Sequence, residues 1–378
     1  MYKLAVIGLG ERINTIVTQL ENTGKCVVAY VADPRFEEVK KEQEAKGRDI
    51  SKIKFYATAE ELFENEKPDG VCIGTRCSLH AKYADMVIRK GYPLFLEKPV
   101  CTTREDLALL EKLLVDCPEE CKRVTVSFPL RFTYHFLKAK ELIAEGKIGE
   151  PAHVQGWCNV PYGVWYYHKW YRDDNETGGL FLQKATHDVD YITELIGRKP
   201  VSVCAMTSKQ VFKGDRPAGL LCRNCSEKDT CIDFSDNLGT DYRKNDGCCF
   251  AVDTGNEDSG SAVIMYDNGV HVSYSQNFIS RRSAGKRGVR VVGRLGTVEF
   301  DWEENYIRYH DHYGERHDIP VTEKAGGHFG GDGMLIADYL LALEGKETSC
   351  KLCDGVRSAK LCLCLKESSL EKRFVEFR

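Results

Sequence analysis

The chain has 378 residues, 42% apolar and 29% charged, a globular balance whose length suits two domains rather than one core. Its formal net charge of −4 argues against nucleic acid as a main partner, which takes a concentrated basic face, and the short runs Arg281-Arg282 and Lys286-Arg287 read as solvated loops. No apolar run approaches the ~20 residues that span a bilayer. Met1-Tyr2-Lys3 leads straight into a strand-like segment, so no membrane partner and no secretory leader are expected, and the cytoplasm is the expected compartment. There the 17 cysteines should be thiols or metal ligands rather than disulfides.

In chain order, Leu4-Ala5-Val6-Ile7 predicts a buried strand ending at Gly8-Leu9-Gly10. A helix follows, with Ile13, Ile16, Val17 and Leu20 on one face. The run Cys26 to Ala32 predicts a second strand, ending at Asp33-Pro34, and the charged stretch Phe36 to Lys46 a second helix. Strand and helix then alternate through Lys54-Phe55-Tyr56, Ala59 to Glu64, Asp69 to Gly74, Leu79 to Lys90, Tyr92 to Leu96, Arg104 to Leu114 and Val124 to Phe128. Continuous apolar strands between amphipathic helices imply a parallel sheet covered on both faces, a Rossmann domain over residues 1–125. Ligands of such sheets bind beyond the carboxyl ends of the strands, where Gly8, Asp33, Thr75 and Glu97-Lys98 fall.

Gly8-x-Gly10-x-x-Ile13 keeps the two glycines that face a pyrophosphate but carries Ile13 where the dinucleotide fingerprint has its third glycine. A slightly wider helix–strand spacing is the expected consequence. The helix N-terminus, with Glu11, Arg12 and Ile13, offers N–H groups and a positive dipole end to phosphate. Asp33 is placed to accept hydrogen bonds from the adenosine ribose, which favours NAD, while Arg35 leaves NADP open. Glu97-Lys98-Pro99 ends a strand that needs no charge to fold, and Lys98 there can hydrogen-bond a substrate hydroxyl or shuttle its proton.

With these motifs the chain resembles the glucose–fructose oxidoreductase, inositol dehydrogenase and rhizopine-catabolism (Gfo/Idh/MocA) family. The resemblance extends through Thr75 and His80, Arg131-Phe132, Gly146-x-x-Gly149-Glu150-Pro151, Trp170-x-Arg172 and Gly178-Gly179. His187-x-x-Asp190, Gly293-x-x-Gly296-Thr297 and Gly330-Gly331-Asp332 complete it. It implies an α/β fold: the Rossmann domain, then a second domain over 126–350 with a large, open, mostly antiparallel sheet, and a C-terminal helix and tail over 351–378 packing back on the body. It also implies a homodimer or tetramer and a sugar, polyol or cyclitol substrate oxidised or reduced at a hydroxyl-bearing carbon. A glycosidase that uses NAD transiently, an oxidoreductase of a non-sugar substrate and a non-catalytic nucleotide-binding protein stay open as alternatives. Independently, Val201 to Ala205, Ala262 to Tyr266 and Val270 to Tyr274 alternate as strands do, the last two joined by the hairpin signal Asp267-Asn268-Gly269.

Gly179 to Ile192 predicts a helix with Lys184, His187, Asp188 and Tyr191 on one face and Gln183, His187 and Asp190 on the adjoining row. The resemblance makes His187 the proton acceptor and Asp190 the residue that orients it. It puts Gln183 where relatives carry an acid, so base duty falls to His187, assisted by Lys184 or Asp188. Upstream, the aromatic stretch Trp165 to Arg172 offers ring faces to a sugar, with Trp165, His168 and Arg172 as substrate candidates. Finally, Cys222-x-x-Cys225, Cys231 and Cys248-Cys249 lie in a polar insert at about 215–250. A structural zinc held by Cys222, Cys225, Cys231 and Cys248 is one expectation, with an iron–sulfur cluster or ligand-free cysteines as the others. Cys362 and Cys364, in an apolar helix, read as core.

Overall fold

The structure, a computed structural model, describes residues 1–238, 246–322 and 327–377 and divides into two compact units. The first comprises Met1–Phe132 and the described residues between 324 and 359. Its strands are β1 (Tyr2–Ile7), β2 (Cys26–Ala32), β3 (Lys54–Tyr56), β4 (Gly70–Ile73), β5 (Leu94–Leu96) and β6 (Val124–Val126). They form one parallel sheet in the order β3-β2-β1-β4-β5-β6, the doubly wound arrangement that the strand–helix alternation implied.

The sequence placed residues 126–350 in the second domain, and here the structure differs, since the described residues between 324 and 359 belong to the first unit. The helix Gly331–Leu343 returns to the Rossmann core, where Leu335, Ile336, Tyr339 and Leu343 pack with Leu4, Val6, Ile16 and Phe95. Tyr339 donates its hydroxyl to the Val71 carbonyl at 3.0 Å, and Gly70 has no Cβ because that space belongs to Leu343 and Tyr339. The cause is burial. A helix with that much apolar surface must cover another apolar face.

The second unit carries nine strands: β7 (Pro151–Asn159), β8 (Pro200–Ser208), β9 (Ser259–Tyr266), β10 (His271–Asn277), β11 (Lys286–Gly293), β12 (Gly296–Asp301), β13 (Tyr306–Asp311), β14 (Arg316–Ile319) and β15 (Val375–Glu376). Their order is β14-β13-β12-β11-β7-β10-β9-β8-β15, antiparallel at every pairing except β7 with β10. The Asp267-Asn268-Gly269 turn joins β9 to β10 as expected, with Gly269 at φ +88°.

The helix expected from Gly179 onward has two parts, a π-helical turn over Phe181–Ala185 and an α-helix over Thr186–Ile196. Two bare patches of sheet seat it. A Cβ on Gly156 would come within 2.7 Å of Ile192, and one on Gly260 within 2.8 Å of the Phe181 ring. From the helix, Asp188 reaches Tyr274 of β10 and Arg287 of β11. Lys286-Arg287, read from sequence as a solvated loop, opens β11, and Arg287 is buried. Cys362 and Cys364 are core residues, as expected.

Candidate active site

In the first unit the glycine loop is built for close approach. Gly8 has φ +75°, and a Cβ there would meet Thr75 within 2.7 Å. Gly10 caps the helix Glu11–Asn22 without a side-chain hydrogen bond, leaving the first-turn amides for an anion. A Cβ on Gly10 would lie 3.3 Å from the Gly74 carbonyl, so only glycine keeps the loop slim on that side. This cradle fits a dinucleotide pyrophosphate. Asp33, buried at the end of β2, accepts from the Leu9 amide at 3.2 Å and the Arg35 amide at 2.9 Å. Each carboxylate oxygen retains a lone pair for a ribose hydroxyl. The Arg35 side chain is half exposed, its Nε 3.7 Å from Asp33.

The missing third glycine is compensated from the neighbouring strand. Ile13 fills the gap between helix and sheet, and Gly74 at the end of β4 makes room, since a Cβ on Gly74 would sit 2.3 Å from that of Ile13. Gly74 supplies the space that the third glycine of the fingerprint normally leaves. Gly74→Ala should therefore cost about 1–3 kcal/mol of stability and weaken dinucleotide binding by displacing the helix N-terminus. Denaturant melts and calorimetry with NAD check this. Ile13→Ala in the same chain should restore most of the loss, and a wild-type-like single variant would refute the packing argument.

Around Glu97-Lys98-Pro99 the sequence candidates take on distinct duties. His80 is buried, with Nδ1 2.7 Å from the Pro99 carbonyl and Nε2 3.3 Å from that of Thr75. Burial, outweighing those hydrogen bonds, pushes the imidazole down to about 4. His80 is thus neutral and has one N–H, so it donates to only one of the two carbonyls, that of Pro99 on the corner that carries Lys98 being the closer. Arg12 lies 3.3 Å from Glu97 and grips Asp332 with two hydrogen bonds of 2.8 and 2.7 Å. Burial works against the Asp332 charge, but hydrogen bonds from His328 and Arg12 hold its carboxyl well below the usual range. Arg12 is therefore engaged by acids.

In the second unit Lys184, in the π-turn, and His187, one turn later, are both buried. Lys184 donates to the Tyr162 hydroxyl at 2.7 Å and lies over its ring. Asp188 is committed elsewhere: Arg287 Nε donates to Oδ1 and the Tyr274 hydroxyl to Oδ2, each at 2.8 Å. With both oxygens held, it is a staple between helix and sheet. Gln183 and Asp190 are buried on the same element.

The comparisons with known proteins agree with the two-part fold. The model of the oxidoreductase family with an NAD-binding Rossmann fold matches residues 2–128, and that of the GFO/IDH/MocA C-terminal domain matches residues 136–299. The chain belongs to the Gfo/Idh/MocA family. Among its relatives, "Putative oxidoreductase YteT" of Bacillus subtilis (strain 168) is 29% identical over 75% of this chain and 74% of its own. Inositol 2-dehydrogenase of Rhizobium meliloti (strain 1021) is 30% identical over 40% of this chain and 43% of its own. The crystal structure of an oxidoreductase domain protein from Kribbella flavida shares the fold at TM-score 0.78, with 15% identity and complete coverage of both chains. This Gfo/Idh/MocA chain is an NAD(P)-dependent oxidoreductase, and no described helix is long and apolar enough to cross a membrane.

Other expectations are redirected. His168 is buried and its Nδ1 lies 2.7 Å from the Gly247 carbonyl, while Arg172 pairs with Asp253 at 2.7 Å. Both anchor the cysteine insert, aided by Phe212 stacked on Tyr167 at 4.1 Å. Trp165 stays half-buried in an aromatic chain with Tyr166 and Tyr171. The four thiols proposed for zinc are not gathered into one ligand set: among the described residues the only group of three or more such ligands is Asp311, Glu315 and His317 on an exposed hairpin. Cys222 turns instead to His168 and the Gly247 carbonyl, and the Cys225 sulfur accepts from the Glu227 amide. Burial pushes the Cys222 thiol up to about 11, which keeps it protonated.

Sequence reasoning missed Tyr162, which holds Lys184, Arg287, which holds Asp188, and Gln276 of β10, whose Oε1 lies 3.4 Å from the Tyr274 hydroxyl. Tyr162 carried a usable signal, adjoining the aromatic stretch. Gln276 carried none beyond its place in an alternating strand.

Proposed function

We propose that the protein transfers hydride between NAD and a hydroxyl-bearing carbon of a sugar or cyclitol. The observation that carries this reading is His187, buried one turn after Lys184 on a helix that the Asp188–Arg287 pair locks to the sheet. Removing a hydride from carbon and a proton from its hydroxyl leaves a ketone, and the proton needs a nearby base. His187 takes that proton, and the role proposed for Lys98, at the carboxyl edge of the first unit's sheet, is to hydrogen-bond a substrate hydroxyl. The coenzyme, held by the Gly8–Gly10 cradle and Asp33, supplies the hydride acceptor. Asp33 favours NAD over NADP, because its charge repels a 2′-phosphate. A cyclitol or sugar substrate is supported by the relative named as an inositol 2-dehydrogenase.

The test is NADH formation across a panel of cyclitols, hexoses and hexuronates. One or more should turn over, and Lys98→Met should lower kcat by at least about 100-fold while calorimetry still detects NAD binding. No turnover with any member, or a Lys98→Met rate within threefold of wild type, would reject the assignment.

A further inference from the structure

Three neighbouring strands place one residue each in a single row of the second unit. In register, Gln276 of β10 lies opposite Cys158 of β7, and Cys158 lies opposite Arg287 of β11. All three are buried. Lys184 lies one turn before Asp188, whose carboxylate reaches Arg287 of β11 and Tyr274 of β10. Tyr162, which holds Lys184, is 45% exposed and forms the open edge of the group.

The hydrogen-bond inventory of this cluster is one-sided. Gln276 Nε2 and Arg287 Nη2 are buried without a partner. Lys184, only 5% exposed, has three N–H groups and donates one, to Tyr162. The acceptors are fewer: the single Tyr274 hydroxyl hydrogen goes to Asp188 Oδ2 and Arg287 Nε donates to Oδ1, each at 2.8 Å, while Gln276 Oε1 lies 3.4 Å from the Tyr274 oxygen. N–H donors predominate in what is left. The charges do not cancel either, for Asp188 pairs with Arg287, and among the described residues Lys184 has no acidic partner. Buried donors without acceptors are costly, and a buried cation without a counter-charge more so. An acceptor-rich anion relieves both. A neutral polyol, which brings one donor with every acceptor, relieves the first in part and the second not at all. The π-turn that carries Lys184 is a helix irregularity often found at functional sites.

We infer that the substrate carries a carboxylate, an acidic sugar or carboxylated cyclitol, and that Lys184, Gln276 and Arg287 receive it. This rests on the hydride-transfer reading and narrows its substrate class. Lys184 sets specificity, and Tyr162 positions its ammonium.

The test compares D-galacturonate and D-glucuronate with galactose and glucose, by calorimetry on NAD-loaded protein and by NADH formation. Wild type should prefer the acids at least tenfold. Lys184→Gln should bring that ratio close to one, Lys184→Arg should keep most of it, and Gln276→Met should reduce it through binding of the acid. Circular dichroism checks that each variant folds, and Gln276→Met carries the test should Lys184→Gln not fold. Acid binding that depends on Lys184, without turnover, would uphold the carboxylate site and count against hydride transfer. Turnover of the hexoses with no acid preference would overturn the carboxylate site and leave the oxidoreductase reading intact. Failure of both acids to bind also overturns it.

Discussion

His187→Gln should lower kcat by about 10³–10⁴-fold while leaving NAD affinity within threefold of wild type. Glutamine preserves a side chain of similar reach that can hydrogen-bond a hydroxyl, but it cannot take a proton, so the substitution isolates the base function. The size follows from the role: positioned proton transfer is worth about 10²–10⁴ in rate, and the neighbours offer little rescue. Asp188 has both oxygens engaged, and Lys184 is an ammonium already donating to Tyr162. NAD affinity should hold because the substitution leaves the glycine cradle and Asp33, the groups proposed to hold the dinucleotide, unchanged. Steady-state kinetics with the best substrate of the panel decides it. A loss below tenfold would show that another group accepts the proton, and Lys98 would be the next to test.

Much of this organisation was legible in the chain because its cause is local. Gly8, Gly10 and Asp33 follow strands, and strands read from apolar runs. The hairpin at Asp267-Asn268-Gly269 is local turn chemistry, and it forms where expected. What escaped depends on contacts between residues far apart in sequence. Ile13 reads as a defect of the fingerprint until Gly74 is found beside it in space. Lys286-Arg287 looks like any short basic run, because the partner that buries Arg287 lies 99 residues earlier. The helix Gly331–Leu343 joins the Rossmann core across some 200 residues of intervening second unit, a return that periodicity cannot show. His168 and Arg172 suggested a sugar site by residue type, yet the insert that uses them is irregular, with no pattern to announce its contacts. In the same insert, among the described residues, no three of the cysteines whose spacing suggested a metal bring their sulfurs within 4.8 Å of one another. Spacing fixes which thiols can meet, and the backbone between them decides whether they do.

The Asp188–Arg287 pair should carry the largest stability effect in the protein. The Asp188 side chain is wholly buried and that of Arg287 is 6% exposed, so neither charge has water to fall back on. Arg287→Met leaves the carboxylate with one hydrogen bond, from Tyr274, and without its ion-pair partner. Breaking a buried pair from one side costs about 3–5 kcal/mol, and denaturant unfolding at neutral pH should show a loss of that order. The sign of its pH dependence follows. Burial without a partner disfavours the charged form of a carboxyl, so the variant should lose least below the ordinary aspartate range, about 4, and more as the pH rises. Arg287→Met combined with Asp188→Leu removes both charges and should recover most of the stability, because an apolar replacement of a buried ion pair is often neutral. Activity should not recover with it, since the pair holds the helix bearing His187 and Lys184 to β10 and β11. A single Arg287→Met variant that loses less than about 1 kcal/mol, the range of an exposed pair, would show that the pair is not buried in solution.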